Sequence, residues 1–228
     1  MLIVEELHLL LLRPDGRVES PVSVNRLYGE VAAVIVDLAL HGRISVSDEK
    51  NPVIDIVSTE PTGNPILDTT LQRLVPLRGK RLQSLVVRPK LDPLEVVVES
   101  LIAQGVLIRG ERGFFGWGAA RTPESDSAPE QMLRARLAAV LAGRGSPTQA
   151  DLALLSILQN LNCAHAILRD ECGGMSARDL KKRIEELTAG SPAGDAVAKA
   201  VNDAITAAMV AVMTCLLYTS DAADEGLG

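Results

Sequence analysis

The chain has 228 residues and is 47% hydrophobic, 23% charged and 2% aromatic, with a formal net charge of −6. That length and apolar fraction supply core for one large domain or two small ones and exclude a disordered or fibrous chain. A pI near 5.2 argues against a general nucleic-acid binder. Three cysteines (Cys163, Cys172, Cys215) are too few for a disulfide scaffold and point to a reducing compartment.

In chain order, Val4 to Leu12 reads as a short apolar helix stopped by Pro14-Asp15-Gly16. Glu5 and Glu6 stand where the basic region of a signal peptide would be, so this start is not expected to be one. Leu27, Val31, Val34, Ile35 and Leu38 recur at helical spacing within Val24 to Leu40, with Gly42 as the stop. Arg43 to Ser47 and Val53 to Ser58 alternate like two short strands. Ile66, Leu67, Leu71 and Leu74 mark the next helix, after the break at Pro61 to Pro65. A short helix is expected over Gly79 to Val87. Another opens at Asp92-Pro93 as N-cap and first residue, and runs to Gln104. Val106 to Arg121 reads as a hairpin. Helices follow over Pro129 to Leu141, Thr148 to Leu168, Ser176 to Thr188 and Asp195 to Met213. The architecture is mainly α, one helical domain with a few short strands. The run Ala204 to Ser220 is too short and too rich in alanine and threonine to span a membrane.

Residues that could carry chemistry are sparse, and neither a catalytic residue nor a metal site nor a cofactor is expected. His8, His41 and His165 are far apart, and the chain has no nucleophile elbow, phosphate loop or dinucleotide fingerprint. Cys163, His165 and Cys172 lack the Cys-x-x-Cys spacing of a zinc site and read as small buried groups on an apolar helix. The aromatic residues are more informative. Of five, Phe114, Phe115 and Trp117 fall within four positions at the expected hairpin tip, beside Arg109, Arg112 and Arg121. Rings next to guanidinium groups suit a membrane interface, a protein–protein hot spot, or a core filled by a folded-back hairpin. Arg78, Lys80, Arg81, Arg88 and Lys90 form a loose basic stretch, and Arg178 to Glu186 reads as a charge-laced helix face. Helix, glycine and strand pair occur twice, at Val24 to Ser58 and Asp92 to Arg121. This is also the local order of a winged-helix unit, so a nucleic-acid-binding regulator is the alternative.

The ordered segments EELHLLLL, DLALHGRI, PTGNPILDTTL, ESLIAQGVL, the aromatic hairpin and TQADLALLSIL resemble the Golgi phosphoprotein 3 family, bacterial members in particular, over about residues 2–213. The resemblance implies a single mainly helical domain (1–214) with a projecting β-hairpin. In eukaryotic members it implies a peripheral membrane protein that binds phosphatidylinositol 4-phosphate, inserts and self-associates through the hairpin, and binds cytosolic tails of membrane enzymes. The headgroup pocket implied by the resemblance falls on Val22, Val31, Leu91 and Leu94, all apolar here, whereas the apolar hairpin falls on Phe114, Phe115 and Trp117. The expectation is therefore a cytoplasmic, non-enzymatic, peripheral membrane adaptor. Phe114, Phe115, Trp117, Arg112 and Arg121 would touch membrane or a second copy, and Arg26, Arg88 and Lys90 would supply a displaced anionic-headgroup contact. The expected partners are an anionic membrane surface, copies of the chain itself and membrane-protein tails, with no nucleic acid. The last stretch, 215–228, resembles a translated sequencing adapter recurring at the ends of metagenomic gene predictions. It is expected to be non-native; without its three acids the charge moves from −6 to −3.

Overall fold

The computed structural model describes residues 1–13, 15–18, 25–47, 51–110, 121–189 and 206–214. It is mainly α. The elements in order are α1 (Ile3–Leu11), α2 (Arg26–Leu40), β1 (Ile44–Val46), β2 (Ile54–Ile56), α3 (Pro65–Leu74), α4 (Leu82–Val86), α5 (Leu94–Ala103), α6 (Ala128–Leu141), α7 (Gln149–Asn160), α8 (Ala164–Ile167) and α9 (Ala177–Ala189). Residues 206–214 are also helical.

The centre of the bundle is α2, which packs on α1, α3, α4 and α7. Gly29 to Ala39 are buried without interruption, so this helix has no solvent face over three turns. Its alanines and valines suit that position, because small and β-branched side chains let four neighbours approach closely. Each fully buried Val, Leu or Ile contributes about 1.5–3 kcal/mol of transfer free energy.

Four helices stop by one device. Gly42, Gly105, Gly143 and Asn162 adopt φ of 64°, 76°, 70° and 58° after α2, α5, α6 and α7. The following amides reach back to Leu38, Leu101, Ala139 and Leu158 at 2.9–3.1 Å, the doubled bond pattern that satisfies terminal carbonyls. Asn162 corrects one expectation. Thr148 to Leu168 is not one helix but α7 and α8, broken at Leu161 to Cys163, because asparagine tolerates the left-handed conformation that ends α7. The expected helix from Gly79 likewise starts only at Leu82. Before it, Gly79 and Lys80 bond both backbone groups of Ile54 at 2.8 and 3.1 Å, forming a third short rung beside β2. The strands pair antiparallel as Ile44 with Ile56, Ser45 with Asp55 and Val46 with Ile54. Part of the helix expected over Asp195 to Met213 lies outside the described residues.

Two chain reversals meet at one place. After α1, Leu12 pairs with Val18, and Gly16 between them has φ +75°. A Cβ at Gly16 would lie 2.4–2.6 Å from backbone atoms of Thr122 and Pro123. Gly16→Ala is therefore expected to cost at least about 1–2 kcal/mol for the left-handed backbone alone. It should also lift residues 121–124 from the turn. A drop in thermal midpoint with faster amide exchange at Thr122 would register it, and an unchanged midpoint would refute the close approach.

Candidate functional site

Segments 107–110 and 121–124 form an antiparallel stem. Leu107 pairs with Glu124, the Ile108 amide donates to Pro123 at 3.0 Å and the Gly110 amide to Arg121 at 2.9 Å. The chain thus leaves at Gly110 and returns at Arg121, as the expected hairpin requires. Arg112, Phe114, Phe115 and Trp117 lie outside the described residues. Arg121 is exposed. Ile108 is 49% exposed, and Arg109 beside it binds Glu99 at 2.5 and 2.6 Å. An exposed apolar side chain, next to an Arg109–Glu99 ion pair, therefore stands at the root of the stem.

The three expected headgroup residues have different surroundings. Arg26 is 13% exposed and grips both Glu30 and Asp92. Burial would weaken its charge, but the bonds to Asp92 and Glu30 hold its guanidinium above the ordinary range. Arg88 donates Nε to the Ser84 carbonyl at 3.1 Å. Lys90 is exposed and lines an open depression of about 580 Å3 with Arg73, Pro89, Asp92, Leu94 and Glu95. Asp92 belongs both to this depression and to the Arg26 pair. Its carboxyl, which burial alone would raise, is held below its usual range by Arg26 and by the Leu94 amide at 3.0 Å. Of the positions where the resemblance puts its pocket, Val31 and Leu91 are buried. Val22 lies outside the described residues.

The sequence reading missed a buried polar network that fixes α1. Glu5, Glu6 and His8 are 2%, 7% and 1% exposed, and each bonds a different neighbour. Glu5 Oε1 accepts from Ser100 and Gln104 of α5, both at 2.7 Å. Glu6 pairs at 2.7 Å with Arg136 of α6, which reaches on to Asp151 of α7 at 2.7 Å. His8 Nδ1 meets Glu30 of α2 at 2.8 Å. Asp37 of α2 accepts the Ile3 and Val4 amides at 2.9 and 3.0 Å. An all-round apolar helix has no preferred rotation about its axis; these bonds supply one. The available signal was three polar residues inside one apolar run, with Glu30 and Asp37 two turns apart on one face of the next helix.

Cys163 and Cys172 are buried thiols bonded to the backbone carbonyls of Leu158 and Arg169 at 3.4 and 3.2 Å. Burial pushes the Cys163 thiol up to about 12, so it stays protonated. His165 Nε2 contacts the Met175 carbonyl at 3.1 Å. Neither helix of the two winged-helix-like repeats offers a cationic face. Helix α2 is enclosed, and α5 exposes Glu95 and Glu99.

These features define a helical bundle carrying an antiparallel stem, and no described helix is long and apolar enough to cross a membrane. The chain matches the Golgi phosphoprotein 3 (GPP34) family over residues 3–207 and belongs to that family. A comparison with the curated proteins finds no match.

Proposed function

We propose that this protein is a non-enzymatic adaptor that associates reversibly with the cytoplasmic face of membranes through the loop between Gly110 and Arg121. Membership of the Golgi phosphoprotein 3 family carries this proposal. The exposed Ile108 at the root of the stem, with Arg109 and Arg121 nearby, adds support. In this mechanism Phe114, Phe115 and Trp117 enter the boundary between headgroups and acyl chains, and Arg112 and Arg121 meet lipid phosphate. Lys90 and Arg88 add long-range attraction of about 1 kcal/mol per cation near an anionic surface. Arg26 is held by two carboxylates and contributes through the position of Asp92 rather than by touching lipid. With apolar residues at Val31 and Leu91, attraction is to negative charge in general rather than to one phosphoinositide. Two or three rings are a weak anchor, so self-association strengthens binding by avidity. Membrane-protein tails would then be held at the surface.

Vesicles of phosphatidylcholine, with and without phosphatidylserine, test this directly. The parent is expected to pellet with the anionic vesicles, with a blue-shifted Trp117 emission. The triple serine variant at Phe114, Phe115 and Trp117 should stay in the supernatant. Equal pelleting of parent and variant would reject insertion of the loop.

A further inference from the structure

The root of the stem holds an excess of carboxylates. Glu124, paired by its backbone with Leu107, meets the carboxyl of Glu130 in the first turn of α6, and both line a small cavity of about 10 Å3. Leu9, Leu12 and Arg13 line the same cavity. Arg134 of α6 binds Glu130 at 2.7 Å and Glu171, beyond α8, at 3.2 Å. Asp126 adds a further negative charge from the connecting loop. Glu171 is 9% exposed, and its Oε2 and Glu124 Oε1 are both buried without a hydrogen-bond partner among the described residues. Arg134 thus serves two of the three glutamates, while Arg13, the other guanidinium at the cavity, lies within 4.0 Å of Asp15. Glu130 and Glu171 share Arg134, whereas Glu124 has no ion pair among the described residues, and a carboxyl without a cation beside an ionised neighbour resists ionisation.

We propose that this cluster is a proton-operated latch on the hairpin: a proton held between Glu124 and Glu130 docks residues 121–125 on α6, and its loss releases them. Glu124 is the member that takes the proton. Burial first, then the charge and hydrogen bond of Glu130, push its carboxyl up to about 7, against the opposing pull of Arg134. The folded value lies above the ordinary one, so docking is favoured at acid pH and is lost as pH rises toward about 7. The lever acts at the stem because Ser125 and Asp126 bond the Val106 carbonyl at 2.8 and 3.3 Å, next to Glu124. Opening this corner loosens the two ends of the loop together. Glu130, Arg134, Glu171, Asp126 and Arg13 are the charged groups that face it from α6, the segment after α8, the loop and the end of α1.

Amide exchange without membranes isolates the latch from lipid binding. Corrected for intrinsic rates, the parent is expected to lose about tenfold protection in 106–110 and 121–126 between about pH 5.5 and about pH 8.5. Glu124→Gln, uncharged throughout and still able to donate to Glu130, should keep its protection at the higher pH. Carboxyl carbon resonances of the parent provide a measurement that needs no variant, with Glu124 titrating together with the Val106 and Ile108 amides. A parent with pH-independent protection, a Glu124→Gln protein with the parent's full pH dependence, or a Glu124 resonance titrating in the ordinary carboxylate range would each overturn the latch.

Discussion

Glu30→Ala is expected to destabilise the fold by about 3–5 kcal/mol, a large part of the roughly 5–15 kcal/mol that holds a domain of this kind together. Glu30 is fully buried and bonds His8 through one oxygen and Arg26 through the other. Truncation leaves Arg26 with Asp92 alone. It also leaves His8 with neither ring nitrogen bonded, since Nε2 already lacks a hydrogen-bond partner among the described residues. Glu30→Gln keeps an acceptor for Arg26 but removes the charge from its hydrogen bonds, so about 1–3 kcal/mol should be lost. Urea unfolding of the three proteins, with slopes compared to exclude a changed denatured state, gives these numbers. A loss under about 1 kcal/mol for the alanine variant would mean that water replaces the carboxylate and that the network is not closed.

That network divides what was legible in the sequence from what was not. Helix ends were legible where a backbone constraint selects a residue type: Gly42, Gly105 and Gly143 each end a helix in a left-handed conformation. The cap of α3 lay unread inside the break at Pro61 to Pro65: Asn64 Oδ1 accepts from the Ile66 amide at 2.9 Å. The break at Asn162 was hidden because its neighbours Leu158, Leu161 and Ala164 continue the apolar spacing, and periodicity outweighed a single left-handed residue. The stem was legible in the glycine-punctuated run Val106 to Arg121, and the Gly110 amide meets Arg121 as a hairpin requires. The charged residues were the hardest. Glu30 and Asp37 are charged residues inside the apolar spacing of α2, yet they are 0% and 2% exposed. Charge on one helix says nothing of burial until the partner is known, and the partners here are His8 and the start of α1, more than twenty residues away. Arg26 illustrates the same limit. Its sequence position suits an anion contact, but Asp92, 66 residues on, holds its guanidinium.

Asp37→Ala tests the other end of α1 and is expected to cost about 2–4 kcal/mol. A helix begins with amides that have no partner inside it, and in a buried helix water cannot serve them. Asp37 takes two, from Ile3 and Val4, while the Leu2 amide turns to Glu5 at 2.8 Å. Alanine strands both. Asparagine restores one acceptor and sets an N–H against the second amide, so Asp37→Asn should fall between parent and alanine. Burial, the larger influence, raises the Asp37 carboxyl to about 7 although the two amides pull it down. The folded protein therefore holds a proton that the unfolded chain has released above the ordinary value of 3.8. Its contribution to stability is complete below pH 3.8 and is lost as pH climbs to about 7. Asp92, held low by Arg26, works in the opposite sense, and its contribution disappears only on acidification below its ordinary value. The parent should thus be most stable in mildly acid solution and weaken toward neutrality. In Asp37→Ala the part of that slope due to this carboxyl disappears, leaving the part from Glu124. Thermal midpoints at matched ionic strength from about pH 4 to about pH 8 measure both. An alanine variant as stable as the parent would show that Asp37 does not hold the start of α1, and one that weakens as steeply with pH would show that its carboxyl is not the source of the slope.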